Sequence, residues 1–214
     1  MNAVAWSFAA LTGACALVEW WATHRDRKPV RYVTKPLTLV LLIIVAITLD
    51  PTVSPAVHWW MVAGLVLSLA GDVFLLLSEK WFLAGLGSFL VGHIAYVIGL
   101  QLAPTSLGWT LVGLAVVIVS VLVGGRAMLR RVDLDEAKGL LGPVIAYVII
   151  ISAMVVSAFG TAAAFAIVGA LLFYFSDATL AWNRFAEKRR WGPLTVMVTY
   201  HLGQFGLVAW LVTG

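Results

Sequence analysis

The chain has 214 residues, of which 62% are hydrophobic and 11% charged, with a net charge of +4, a mean hydropathy of +1.01 and one cysteine, Cys15. A soluble domain carries about 25% charged residues, so this composition excludes one and leaves an all-α integral membrane protein. A lone cysteine excludes an intramolecular disulfide, and the positive charge calls for no nucleic-acid partner, because basic loops already have a role against anionic lipid.

A membrane helix needs about 20 apolar residues. On that measure the chain reads as a single transmembrane domain, 1–214, with eight spans at about 3–22, 35–49, 58–78, 81–101, 107–125, 139–158, 161–182 and 193–212. The first run lacks the basic start of a signal peptide and contains Glu19, so it reads as a retained helix. Thr12, Cys15, Ala16 and Glu19 form a small polar stripe along it at helical spacing. A basic loop, 24–34, leads to the second span, which opens at Lys35-Pro36-Leu37, with proline in a first helical turn.

The third span carries Ser68 and Asp72 one turn apart, and Glu79-Lys80 form the corner to the fourth. Gly85, Ser88, Gly92, Ala95 and Gly99 give the fourth span a close-packing face, with His93 and Tyr96 beside it. The fifth span has no charged residue and reads as scaffold; a loop of mixed charge, 126–138, follows. Pro143 lies in the first turn of the sixth span. The seventh carries Tyr174, Ser176 and Asp177, and the eighth carries Tyr200, His201 and Gln204 beyond a basic loop, 183–192. Trp20, Trp21, Trp59, Trp60, Trp81, Trp182, Trp191 and Trp210 fall near span ends, where tryptophans form interface belts. His24 and His58 read as loop or boundary residues.

With eight spans, all 14 lysines and arginines fall on one side of the membrane. The positive-inside rule makes that side cytoplasmic and places both termini outside, as expected for a multi-pass protein of a bacterial inner membrane. Asp72 with the following His93 to Tyr96 segment, and Asp177 with the following Tyr200 to Gln204 segment, give the two halves a faint likeness. It fits either a parallel repeat of two four-helix halves or chance.

A charge at membrane depth costs roughly 3 kcal/mol or more and usually marks function. Asp72 and Asp177 stand out on that ground, in the same half of the bilayer as Lys35, Glu19, Tyr200, His201 and Gln204, with His93 nearer the middle. Simpler readings stand beside this one. Asp72 and Lys35 can form a structural ion pair, Glu19 and Lys35 can snorkel to the interface, and Ser68, Ser176, Tyr200, Gln204 and the histidines can serve packing. A catalytic zinc site usually takes three protein ligands rich in histidine. Only His93 and His201 lie within spans, so a three-histidine site would need a loop histidine; a mixed His/Asp site stays open but is not needed by the chemistry, and no metal and no cofactor is expected.

Five motifs taken together resemble the YhhN family of membrane lysoplasmalogenases: Lys35-Pro36-Leu37, Gly71-Asp72-Val73-Phe74-Leu75-Leu76, Gly92-His93-Ile94-Ala95-Tyr96, Ser176-Asp177-Ala178-Thr179-Leu180 and the Tyr200 to Gln204 segment. The resemblance runs over nearly the whole chain. It implies hydrolysis of the vinyl-ether bond of a lysophospholipid substrate, giving a fatty aldehyde and glycerophosphoethanolamine or glycerophosphocholine. It also implies that Asp72 and Asp177 are the essential pair and that no metal is required. The chemistry suits two carboxyls: the alkene carbon is protonated, an oxocarbenium ion forms, water adds, and the hemiacetal collapses. Glycosidases meet similar needs with two carboxyl groups in different environments, and the residues alone leave open which aspartate is acid and which is base. Tyr200, His201 or Gln204 would orient the water, and Lys35 would hold the lipid phosphate. A proton-coupled transporter, or a metal-dependent lipid amidase or receptor of similar helical build, is the competing class; intramembrane Asp and His also serve proton relays.

Overall fold

The computed structural model describes residues 3–131 and 139–214. The mixed-charge loop and its Lys138 therefore fall largely outside the described residues. Within them the chain forms eight long helices and no strand. These are α1 (Ala3–His24), α2 (Lys28–Thr48), α3 (Pro55–Leu76), α4 (Phe82–Gln101), α5 (Leu107–Ser120), α6 (Leu141–Gly160), α7 (Ala164–Phe185) and α8 (Gly192–Trp210). A 3-10 turn, Glu79–Trp81, leads into α4. A π-helical segment, Val121–Gly125, and a last turn, Arg126–Leu129, extend α5.

Seven of these helices are long and apolar enough to cross a membrane. The exception is α8, whose 19 residues include Thr195, Thr199, Tyr200, His201 and Gln204. The last three are buried among other helices, and they lower the helix's mean hydropathy without facing lipid.

The start of α2 differs from the spacing-based expectation. α2 begins at Lys28, with Pro29 in its first turn, so the segment expected as loop is helical and Lys35 lies two turns in. Pro29 supplies the same helix-start signal as Pro36, one seven-residue step earlier, and Pro36 is carried inside the helix. Asp26, at φ 49°, makes the turn between α1 and α2, a conformation aspartate tolerates better than most residues. Two other expectations are corrected. Trp210 is buried at 1% exposure and belongs to the core, not to an interface belt. His58 is buried, and its Nε2 lies 2.7 Å from the Ala46 carbonyl at the end of α2.

Apart from α4 and α5, consecutive helices pack against each other, most extensively α3 with α4 and α7 with α8. Glycines bring both pairs together. A Cβ on Gly64 would lie 2.2 Å from the Tyr96 ring and one on Gly99 3.1 Å from Met61 Sδ, and the Ser88 hydroxyl donates to the Leu67 carbonyl at 2.6 Å. The small-residue face expected of the fourth span is thus its seam with α3. In the α7–α8 seam the obstacles are backbone: a Cβ on Gly169 would sit 2.8 Å from Leu207 N and 2.9 Å from Gly203 O. Backbone cannot swing aside as a side chain does, so Gly169→Val should push the helices apart and destabilise the protein by about 1–3 kcal/mol or more. A lowered unfolding midpoint in detergent measures this, with Gly87→Ala as an unchanged control, because nothing lies within 4 Å of its Cβ position.

The halves meet where α4 packs on α6 and where α8 packs on α1, with lighter contacts of α8 to α2 and α3. Phe173 of α7, fully buried, is the hub of that meeting. Its ring stands edge-on to His93 at 4.7 Å, Tyr200 at 5.2 Å, and Phe89 and Tyr96 at 6.4 Å. Such pairs add about 0.5–1.5 kcal/mol each beyond burial, and they lock α4, α7 and α8 in one register.

Candidate active site

Asp72 lies near the end of α3 at 1% exposure. Because α2 starts early, Lys35 reaches it: Nζ is 3.0 Å from Oδ1. The Tyr200 hydroxyl of α8 donates to Oδ2 at 2.8 Å. Gly71 makes room for this arrangement, since a Cβ there would lie 2.5 Å from the Phe89 ring. That ring stands edge-on to Tyr200 at 5.8 Å and holds the phenol against the carboxylate. Consecutive helices α2 and α3 and the distant α8 thus converge on one carboxylate. A buried ion pair roughly repays its own desolvation, but losing one partner leaves an uncompensated charge.

Asp177, on α7, has different neighbours. The Tyr147 hydroxyl of α6 donates to its Oδ2. His93 Nε2 lies 3.8 Å from the same oxygen, beyond hydrogen-bond reach, and the aspartate side chain keeps 14% of its surface accessible. The His93 ring sits edge-on between Tyr147, at 5.3 Å, and Phe173. No lysine or arginine among the described residues pairs with Asp177.

Both carboxyls open on one cavity of about 490 Å³. Lys35, Asp72, Tyr147, Ser176, Asp177 and Tyr200 line its polar part. Apolar walls come from α3 to α8, with Leu75, Leu86, Phe89, Val148, Ile151 and Met197 among them. Arg31, Glu79 and Arg184 also line it, and the pair Arg184–Glu79, 2.9 Å apart, is well exposed. On the remaining side stands the π-segment of α5, through Val121, Gly124 and Gly125. π-turns recur at functional sites because they break the regular ladder.

The remaining candidates stand behind this surface. Gln204 accepts the Tyr96 hydroxyl's hydrogen bond at 2.6 Å, and His201 Nδ1 accepts from Trp20 Nε1 at 3.0 Å. Ser68 is buried at 1% exposure. His93, His201, Gln204, Ser68 and Glu19 do not line the cavity; Ser176 does, with its hydroxyl bonded to the Val196 carbonyl at 3.0 Å. Glu19 does not snorkel. It is fully buried and takes bonds from Arg31 Nε at 3.1 Å, Thr23 Oγ1 at 3.0 Å and Thr34 Oγ1 at 2.5 Å. Lys35 likewise turns inward at 4% exposure. Among the described residues no three or more His, Cys, Asp or Glu side chains gather where a metal ion would bind.

Sequence reasoning missed Tyr147, the one side-chain hydrogen-bond donor to Asp177 among the described residues. Its signal was a phenol among purely apolar neighbours, Val144 to Ile151, since a buried hydroxyl needs a partner. It also missed Trp20 as a partner of His201, and Arg31, which was counted with the basic loop.

The profile of the YhhN family matches residues 30–211. "Lysoplasmalogenase TMEM86B" of Mus musculus is 30% identical over 152 residues, 70% of this chain and 62% of that protein. Its Homo sapiens counterpart is 31% identical over 143 residues, 66% of this chain and 58% of that protein. "Uncharacterized membrane protein YhhN" of Escherichia coli is 34% identical over 96 residues, 44% of this chain and 43% of the relative. The chain therefore spans less than two thirds of the length of these relatives. No solved structure matches it. With a match that covers most of its length, from the first turn of α2 to the end of α8, the chain belongs to the YhhN family.

Proposed function

We propose that this protein is a membrane-embedded hydrolase that cleaves the vinyl-ether bond of a lysoplasmalogen, releasing a fatty aldehyde and a glycerophosphoethanolamine or glycerophosphocholine. One observation carries the reading: two intramembrane carboxyls, Asp72 and Asp177, open on a single apolar cavity with charged residues along part of its lining. That is a suitable container for a single-chain lipid with an ionic head. The lysoplasmalogenase names of the TMEM86B relatives support the same substrate class.

The environments divide the work. Asp72, held by Lys35 and Tyr200, is the ionised carboxyl. Asp177, with no lysine or arginine beside it and part of its side chain open to the cavity, enters the reaction as the acid. Its proton goes to the alkene carbon, the π electrons form the new C–H bond, and the ether oxygen shares the positive charge. The Asp72 carboxylate offsets that charge, as one of two carboxyls does in glycosidases. Water adds to the oxocarbenium carbon and returns its proton to Asp177. The hemiacetal then splits into aldehyde and glycerol hydroxyl. Tyr147 orients Asp177 through its hydrogen bond, and His93 packs Tyr147 in place. The reaction as written uses no metal and no cofactor. All eight helices cross the membrane in this reading, with the basic loops cytoplasmic and both termini outside.

The test is mass spectrometry of purified protein given a vinyl-ether lysolipid beside its saturated alkyl-ether and acyl analogues. Aldehyde from the vinyl ether alone, in detergent and without a gradient, is the expected result. Cleavage of the acyl analogue instead, or release of no product at all, would sink the reading.

A further inference from the structure

Lys35 is the basic residue that sequence position nominates for the lipid phosphate, yet its ammonium is engaged by Asp72. Two other cations line the same cavity. Arg184 is paired with Glu79 at 2.9 Å, and both are well exposed, so the pair is loose and screened. Arg31 is held differently. Its Nε donates to Glu19 at 3.1 Å, and Glu19 is fully buried and fixed by the hydroxyls of Thr23 and Thr34. A carboxylate anchored on α1 therefore sets the rotamer of an arginine in the first turn of α2. Because that bond uses Nε, the two terminal nitrogens have no partner among the described residues, and the Arg31 side chain keeps 22% of its surface accessible. A planar guanidinium with one edge fixed and the other free fits two oxygens of a phosphate.

We propose that Arg31 binds the phosphodiester of the lysolipid headgroup and that buried Glu19 is the positioning residue that holds it ready. The assignment rests on the lipid-hydrolase reading above and adds to it the part of the substrate that sets register in the cavity. The phosphate and the vinyl ether sit at opposite ends of one three-carbon glycerol, and Arg31, Asp72 and Asp177 line the same cavity, so a phosphate held at Arg31 tethers the ether within the chamber that holds the carboxyls. The recognised chemistry is a phosphate monoanion borne by a lipid rather than free in solution.

Binding is measured first, without turnover, with two non-cleavable probes: an alkyl-ether lysophosphoethanolamine and the corresponding alkylglycerol, which lacks phosphate. Arg31→Gln should weaken the phospholipid about ten- to hundredfold, the range expected for a lost charge-assisted contact, and leave the alkylglycerol unchanged. Glu19→Gln should show the same selectivity, and Arg31→Lys should fall between, because it keeps the charge and loses the fork. Lys188→Gln, at an exposed cation that does not line the cavity, should change neither. Inorganic phosphate at millimolar concentration should not displace the lipid. Equal loss of both probes in Arg31→Gln would make Arg31 structural and overturn the proposal. Unchanged phospholipid binding, or full displacement by inorganic phosphate, would overturn it as well. With the vinyl-ether substrates, Arg31→Gln should raise KM for the phospholipid and leave kcat within about twofold. If the native protein releases aldehyde from neither vinyl ether, the hydrolase reading fails, while the binding measurements still decide the role of Arg31.

Discussion

Asp177→Asn is expected to leave a folded protein whose aldehyde release falls by at least about a hundredfold. Positioned proton transfer contributes roughly 10²–10⁴ in rate, and the amide cannot supply the proton. Its shape is nearly that of the acid, and its carbonyl oxygen can still accept the Tyr147 hydroxyl's hydrogen bond, so the packing of Tyr147 on His93 is preserved. Mass spectrometric detection of the aldehyde, beside the unfolding midpoint in detergent, separates chemistry from folding. Asp72→Asn should lose activity as well, because the cation forming on the ether oxygen would face a neutral group. Near-normal turnover by either purified variant would remove the mechanism.

A second large effect is expected in stability. Lys35→Met leaves the Asp72 carboxylate buried at 1% exposure with one phenol and no cation. Removing one partner of a buried pair costs about 3–5 kcal/mol, whereas replacing both with apolar groups is often neutral. The double variant Lys35→Met with Asp72→Leu should therefore recover most of the stability and none of the activity. Unfolding in detergent measures the first part and aldehyde release the second. A single variant as stable as the native protein would show that the pair does not hold α2 to α3. A double variant that hydrolyses lipid would reduce Asp72 to a structural residue.

The helices and the two aspartates were legible because they rest on one-dimensional signals. Twenty apolar residues make a span, and a carboxylate within one is conspicuous. The partners were less so, because periodicity assigns a face to each helix and says little about which helices touch. Tyr147 lies on a helix with no other residue marked as chemical, and only the packing of α6 against α4 and α7 turns its hydroxyl into a partner for Asp177. Arg31 was hidden for a different reason. Pro36 resembles a first-turn proline, so the residues before it read as loop, and an arginine in a basic loop has a sufficient role in topology. Once α2 starts at Lys28, the same residue stands on a helix face opposite Glu19. Glu19 was itself undervalued, because its nearness to a span end suggested an escape to the interface that its three hydrogen bonds make unnecessary.

The side of the cavity lined by α5 also bears on what happens after cleavage. There the wall is the glycine-bearing π-segment of α5, and α5 packs chiefly on α6. The reaction proposed above divides an amphiphile into a greasy aldehyde and a water-loving phosphodiester, which cannot share one destination. If α5 faces lipid, as in the eight-span reading, a chamber walled there by this segment and carrying exposed ionic groups elsewhere in its lining offers each fragment the solvent in which it dissolves. Partition between bilayer and water would then clear both products, and the protein would need no moving part to expel them.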